Sequence, residues 1–242
     1  MNFIFLKEDA KLKLVEKVEI LRYSGGKLSS VMDPMVHEYH LALHVGGEHQ
    51  VNLYCSPTEF EELVLGYLFC EGIISNLSEV EHFTVNEISG TADVWLRKEV
   101  YNREVMADVR FKKEALLKNL AQFYEDSTIH KATAGVHRCA LCDDNCILLA
   151  CIDISRHNAF DKTIGKALKS GLSMNDKYII TSGRVPRDMV MKAIIAEVPM
   201  LVSRSAPTIE AVEIAKQKGL TLLGFSREDR FNVYCGAEKL DL

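Results

Sequence analysis

Between residues 159 and 225 the chain alternates between two hydrophobic periods, and that alternation constrains the fold more than any other feature. Helical spacing over Ala159 to Leu168, Pro186 to Ile195 and Thr208 to Lys218 is interleaved with short apolar runs over Lys177 to Thr181, Met200 to Ser203 and Leu220 to Phe225. A proline opens the second helix and Gly219 closes the third, the usual asymmetry of helix ends. Strands and helices in strict alternation, joined by short connections, imply parallel strands covered by helices with right-handed crossovers. In such sheets ligands bind beyond the carboxyl ends of the strands. Those ends are three loops: Ser182-Gly183-Arg184, then Ser203-Arg204-Ser205 running into Ala206-Pro207, and Phe225-Ser226-Arg227-Glu228-Asp229-Arg230.

Each loop carries arginine, and the topology gathers all three at one crevice. Guanidinium groups beside helix N-termini offer paired donors to phosphate oxygens. Residues 181–230 hold eight Lys and Arg against six Asp and Glu, in a chain whose net charge is -5. This local excess suits a small anionic ligand, and Phe225 adds a flat surface on which a base can stack. The alternative is that the arginines are solvated loop residues in surface ion pairs. Neither GxGxxG nor GxxxxGK[ST] occurs, so the dinucleotide and P-loop fingerprints are absent. The mild overall acidity argues against nucleic-acid binding. The start MNFIFLKEDAKLKLVEK has neither the basic region nor the cleavage site of a signal peptide, and no apolar run is long enough to span a bilayer. Seven cysteines, an odd number, without a secretion signal read as free thiols in a reducing cytoplasm.

Upstream the pattern is β-rich. Residues 38–55 read as a hairpin turning at Gly46-Gly47. Ser56-Pro57-Thr58-Glu59 reads as a helix cap with proline at the first helical position, followed by a helix over 57–71. Residues 80–112 contain short strand-like runs, and 113–125 form an amphipathic helix. The chain therefore divides into an N-terminal extension (1–35), a β-rich lobe (36–112) and an α/β core (113–242).

Cys139, Cys142, Cys146 and Cys151 fall within thirteen residues. Three readings stand. A four-thiolate metal site requires convergence, yet side chains three apart on a strand point to opposite faces. With Asp144-Asn145 as a two-residue turn, Cys142 faces Ile147 and Cys139 faces Ala150, a poor arrangement for four ligands, so no metal is expected. A reactive thiol needs exposure and nearby positive charge. Cys139, after His137 and Arg138, is then the first candidate, with Cys142 as its resolving partner. The plainest reading makes these cysteines small core hydrophobes. His157 and Asp161 lie one helical turn apart, close enough for the carboxylate to orient the imidazole, while Asn158 or Asp153 serves equally as a cap.

Several blocks carry a family resemblance. Residues 55–75 (CSPTEFEELVLGYLFCEGIIS), 133–141 (TAGVHRCAL), 153–165 (DISRHNAFDKTIG), 181–192 and 201–236 resemble the formate dehydrogenase accessory protein family, FdhD, with SRHNAFDK, TSGR and LVSRSAPT the most specific. The resemblance implies a cytidine-deaminase-like α/β fold with a mixed sheet flanked by helices and a small β-rich N-terminal portion. It also implies a cytoplasmic, dimeric sulfurtransferase. Such a protein takes persulfide sulfur from a cysteine desulfurase and passes it to the bis-molybdopterin guanine dinucleotide cofactor before insertion into the formate dehydrogenase catalytic subunit. Cofactor contacts are implied for the loop Phe225 to Arg230. The sequence departs from the family at one place. The CGxCG element that carries the persulfide belongs before the helix starting near Lys113, where this chain reads VWLRKEVYNREVMADVRF, with neither cysteine nor glycine. Either the transfer step is lost or a cysteine of the cluster performs it. The zinc signature of the deaminases is absent too.

Overall fold

The computed structural model describes residues 2–6, 12–97 and 109–241. The strands are β1 (Asn2–Leu6), β2 (Val15–Ser24), β3 (Lys27–Val36), β4 (Tyr39–Val45), β5 (Glu48–Cys55), β6 (Val80–Asn86), β7 (Thr91–Leu96), β8 (Phe111–Lys112), β9 (His137–Cys142), β10 (Ile147–Asp153), β11 (Tyr178–Thr181), β12 (Met200–Ser203), β13 (Thr221–Gly224), β14 (Asn232–Cys235) and β15 (Leu240–Asp241). The helices are α1 (Phe60–Cys70), α2 (Lys113–Glu125), α3 (Thr128–Thr133), α4 (Arg156–Lys169), α5 (Arg187–Ile195) and α6 (Ile209–Lys218). Residues 98–108, which hold most of the stretch where the resembled family keeps its cysteine element, lie outside the described residues.

Two mixed sheets and the helices between them make a layered α/β fold. The larger sheet has the order β10-β9-β11-β12-β13-β14, with β11, β12 and β13 parallel and the other pairs antiparallel. All twelve residues of the three parallel strands are buried, because helices cover both faces. One face packs under α4, α5 and α6, through Leu141, Ile179, Leu201 and Leu222. The other packs Ala140, Ile180, Val202 and Leu223 against Leu116, Leu120 and Phe123 of α2. The smaller sheet, β1-β6-β7-β4-β5, lays Leu41, Leu43, Phe83 and Val94 onto the same cluster as α1 and α4.

At the α1–α4 crossing two helix backbones come into direct contact. A Cβ on Gly66 would stand 1.7 Å from the Asp161 carbonyl oxygen, and one on Gly165 would stand 1.9 Å from that of Glu62. Only glycine at both positions lets the two backbones touch. Beside the crossing, Lys162 Nζ meets Asp153 Oδ2 at 2.7 Å with both side chains fully buried. Asp153 also accepts from the Ser56 and Ser155 amides, each at 3.0 Å, and Lys162 donates to the Ser56 carbonyl at 3.2 Å. The buried charges are thus paired and hydrogen-bonded, the condition for tolerating them in a core.

Two local expectations change. Helix α1 starts at Phe60 rather than at Pro57, behind Glu59 in the left-handed region (φ 54), because Ser56 is drawn into the Asp153–Lys162 cluster. In the β9–β10 hairpin Cys142 does face Ile147, but a bulge at Leu148 shifts the remaining register by one. Cys139 therefore faces Cys151 rather than Ala150.

Candidate functional site at the strand ends

The carboxyl ends of β11, β12 and β13 open into a crevice of about 440 Å3, within the range of about 300–1,000 Å3 typical of small-molecule sites. Because β9 runs antiparallel to β11, the start of β9 lies at the same end of the sheet and adds His137 and Arg138 to the wall. Phe123, Tyr124, Ser127 and His130, from the end of α2 and from α3, close the opposite side.

The three arginine loops are knitted to one another by hydrogen bonds. The Arg204 amide donates to the Thr181 carbonyl (3.1 Å), Ser203 Oγ to the Gly183 carbonyl (2.6 Å), and Ser205 Oγ to the Ser182 carbonyl (3.2 Å). The Phe225 amide donates to the Ser205 carbonyl (3.2 Å), and Ser226 Oγ to the Ser203 carbonyl (2.8 Å). Arg227 Nη1 donates to the Arg204 and Ser226 carbonyls at 2.9 and 2.7 Å. Phe225 is held at φ 49, a left-handed conformation that costs a non-glycine residue of order 1 kcal/mol, and its half-exposed ring stands at the crevice rim.

Aromatic faces and guanidinium groups alternate along the wall. The Arg204 guanidinium lies 5.1 Å from the Tyr124 ring centroid, and that of Arg138 lies 4.9 Å from Phe123. Burial raises the Tyr124 hydroxyl above its ordinary pKa, with the Ser226 hydrogen bond and the Arg204 and Arg227 charges opposing. The His137 pKa is lowered by burial and by the neighbouring Arg156 and His130, so its imidazole is neutral at pH 7. Ser182 Oγ accepts from the Arg138 amide (3.0 Å) and shares a second hydrogen bond with His137 Nδ1 at 3.2 Å. Asp126 offsets part of the positive charge, 3.5 Å from Arg138.

Among the residues singled out from sequence, Ser182, Arg204, Ser205, Phe225 and Arg227 line this crevice, and Glu228 lines the adjoining hollow beside Tyr124 and Arg204. Ser203 and Ser226 are buried beneath it and brace the loops. Gly183 lets its loop pass close to Arg156 and His137, whose atoms lie 2.9 and 3.3 Å from where a Cβ would stand. Arg184, Asp229 and Arg230 are exposed and outside the crevice lining, although the Arg230 carbonyl accepts from the Arg227 amide at 2.7 Å.

His157 and Asn158 lie elsewhere. His157 Nε2 is 2.8 Å from Asp188 Oδ2 and not paired with Asp161, which is buried and held at 3.0 Å by Lys192 Nζ. Asn158 Nδ2 donates to the Tyr54 carbonyl (2.7 Å) and Asp153 Oδ1 (3.1 Å), a tie between the two sheets. The residues missed from sequence are Phe123, Tyr124, Ser127 and His130, because nothing in the amphipathic pattern of α2 shows which loop its last turn will cover.

The cysteines are corrected by burial. Cys139 and Cys142 are fully inaccessible, on opposite faces of β9, and burial raises both thiols well above the ordinary value. Neither meets the two conditions for a reactive thiol. Cys55 and Cys151 are pushed up to about 12, again chiefly by burial. Of the seven cysteines only Cys146 is exposed. It sits in the β9–β10 turn, at the opposite end of β9 from His137 and the crevice. Among the described residues no three His, Cys, Asp or Glu side chains converge as metal ligands.

A cationic, aromatic-walled crevice at the ends of a parallel sheet, served by loops rather than by a glycine-rich fingerprint, sets the class: a layered α/β protein outside the dinucleotide-binding and P-loop folds. Within that class the chain belongs to the FdhD/NarQ family, which matches residues 36–106 and 95–241. It is 34% identical over 251 residues to the sulfur carrier protein FdhD of Bacillus subtilis strain 168, an alignment covering 92% of this chain and 96% of the relative. A sulfur carrier protein FdhD from Listeria innocua is 29% identical over 260 residues, covering 95% and 100%. A crystal structure from Desulfotalea psychrophila, assigned as a formate dehydrogenase accessory protein, superposes with a TM-score of 0.85 at 26% identity, covering 94% of this chain and all of that one. No helix among the described residues is long and apolar enough to cross a membrane.

Proposed function

We propose that this chain is an accessory protein for formate dehydrogenase. In this reading it binds the bis-molybdopterin guanine dinucleotide cofactor as cargo in the crevice and supports its sulfuration before insertion. The observation that carries the reading is the placing of Arg138, Arg204 and Arg227 beside the Phe123, Tyr124 and Phe225 rings in one crevice of about 440 Å3. Guanidinium forks match diphosphate oxygens, and aromatic faces match a purine. The Ser182 and Ser205 hydroxyls and the His137 imidazole add neutral polar groups. The partners are a cysteine desulfurase as sulfur source, the formate dehydrogenase catalytic subunit as recipient and a second copy of the chain, all in the cytoplasm.

A second reading keeps the binding and drops the transfer, making the chain a cofactor chaperone. It is favoured by one observation: no cysteine lines the crevice, and Cys139 and Cys142 are sealed in the core. Two experiments separate these readings from each other and from neither. Guanosine diphosphate binding is measured by calorimetry on the wild type and on Arg204→Ala and Arg227→Ala. Loss of a charge-assisted hydrogen bond worth about 1.5–3 kcal/mol weakens binding about 10- to 150-fold. Absent binding, or binding indifferent to both variants, refutes both readings. Intact mass is then recorded after incubation with a cysteine desulfurase and cysteine. A sulfur-atom adduct confined to one cysteine supports the carrier, whereas none on any cysteine leaves the chaperone.

A further inference from the structure

Strand β10 forms one edge of the larger sheet, with β9 as its neighbour. The bulge at Leu148 sets Cys151 directly opposite Cys139, and among the described residues no other two cysteines face each other across a ladder. Opposite residues of an antiparallel pair send their side chains to the same face, with Cα atoms about 4.5–5.5 Å apart. That spacing lies within the roughly 4.4–6.8 Å over which a disulfide joins two Cα atoms. Both thiols turn toward α4, where the Thr163 hydroxyl hydrogen-bonds with each. Cβ atoms at opposite positions start about 4.5–5.5 Å apart and must close by about 1 Å for the bond to form. An edge strand already bent by a bulge can make that move, since no described strand is paired to its far side.

The two thiols differ in access. Cys139 is sealed in the core, whereas Cys151 keeps 3% of its surface. Cys151 Sγ lies 3.7 Å from Glu59 Oε1, the same oxygen that holds Lys166 Nζ at 2.8 Å. The Glu59 and Lys166 side chains are 28% and 40% exposed, so what covers Cys151 is a surface ion pair, a contact that opens readily. When it opens, water reaches the Cys151 thiol and the Lys166 ammonium remains beside it to favour the thiolate.

We propose that Cys139 and Cys151 are a reversible dithiol–disulfide pair, oxidised by low-molecular-weight disulfides that enter through Cys151. Cys151 gives its proton to water and its thiolate attacks one sulfur of the reagent R–S–S–R. The reagent bond breaks, and the departing thiolate takes up a proton. Cys139 then gives up its own proton and attacks Cys151 Sγ, expelling the second thiolate. The protein loses two protons and two electrons, and the reagent is reduced to two thiols. Cys139 alone meets neither condition for a reactive thiol and needs neither, because the sulfur it attacks is held beside it. The bond ties β9 immediately behind Arg138, and so braces the strand that brings His137 and Arg138 to the crevice wall.

The inference does not depend on what the crevice binds, and its test is separate. The native full chain is incubated with 2-hydroxyethyl disulfide, quenched in acid, denatured, alkylated and cleaved before Asp143, which parts Cys139 and Cys142 from Cys146 and Cys151. Peptide mass and fragmentation are expected to show a slowly formed cross-link between Cys139 and Cys151, two hydrogens lighter than the reduced pair and opened by dithiothreitol. In Cys139→Ala the reagent stops as a mixed disulfide on Cys151, and in Cys151→Ala Cys139 stays reduced over the same time. Glu59→Gln removes the covering ion pair and speeds cross-linking about 2- to 5-fold. Circular dichroism confirms that each variant is folded, and the wild-type map decides the pairing without them. Cys139 and Cys151 both still reduced long after Cys146 has reacted, a cross-link joining other cysteines, or one formed only in denaturant overturns the inference. So does a mixed disulfide on Cys139 in folded Cys151→Ala, or a rate indifferent to Glu59→Gln.

Discussion

Adding one methyl group to Gly66 should destabilise the protein far more than helix propensity would suggest. In an isolated helix Gly→Ala is favourable by about 1 kcal/mol. Here the new Cβ would stand 1.7 Å from the Asp161 carbonyl oxygen and 2.9 Å from the Gly165 amide nitrogen. Contact at roughly 3.2 Å requires α1 and α4 to separate by about 1.5 Å, and since the obstruction is backbone, no rotamer change relieves it. Separation loosens Leu63, Ala159, Phe160 and Ile164, all within 1% of full burial at the centre of the larger core cluster. Overpacking plus partial loss of these contacts costs about 4 kcal/mol, leaving a net loss near 3 kcal/mol after the propensity gain. For a chain of this length each kcal/mol shifts Tm by about 2–4 °C, so a fall of about 6–12 °C is expected in a thermal melt followed by circular dichroism. Gly165→Ala should behave alike, since its Cβ would stand 1.9 Å from the Glu62 carbonyl oxygen. The double variant should cost much less than the sum, because helices already separated by one methyl group have room for the second. A single variant within 1 kcal/mol of wild type, or strict additivity in the double, would refute this account of the crossing.

Other expectations follow from the same geometry. Lys162→Ala strands the buried Asp153 carboxylate and should cost about 3–5 kcal/mol in urea denaturation, whereas Lys162→Met with Asp153→Asn should recover part of that loss; a single variant no worse than the double would contradict the pairing. Native thiol titration with a chromogenic disulfide should label Cys146 first and Cys235 slowly, and fast modification of Cys139 or Cys142 would show that β9 is not packed as described. His137 has a folded pKa below its ordinary 6.5, so the unfolded chain takes up this proton first and stability should decline as pH falls through 6.5. His137→Gln should flatten that part of the profile, and an unchanged slope would remove His137 from the account. A bound diphosphate works in the opposite direction by favouring the imidazolium, so guanosine diphosphate affinity should rise on acidification in the wild type and not in His137→Gln.

The parts of the fold legible in sequence are those where local signals and tertiary packing agree. The amphipathic run over 113–125 coincides with α2, Thr208 caps α6 through its hydroxyl, and Gly46-Gly47 turns β4 into β5. The three loops meet where the parallel-strand rule puts them. The failures are long-range. Ser56 has the look of a cap but serves a buried carboxylate 97 positions away, and that competition moves the start of α1. The bulge at Leu148 has no glycine to announce it, and it alone decides that Cys139 faces Cys151. Exposure of a thiol cannot be read from its neighbours in sequence: Arg138 precedes Cys139, yet its guanidinium turns to the Phe123 carbonyl and Asp126 while the thiol turns inward. The crevice wall from α2 and α3 was invisible for the same reason, since the side chains that face the arginine loops arrive from about 60 to 100 residues upstream.

The glycine contact between α1 and α4 also sets an order of events during synthesis. Gly66 and Gly165 are about a hundred residues apart in the chain, and at roughly 5–20 residues per second a ribosome needs about 5–20 s to span that gap. Through that interval the apolar side of α1 has no α4 to receive it. The nascent chain therefore carries Leu63, Leu65 and Leu68 uncovered until SRHNAFDK and the residues after it emerge. Release of α4 is the step at which the apolar side of α1 first finds its cover, while the other side of α4 waits for Ile179, Leu201 and Leu222 of the larger sheet.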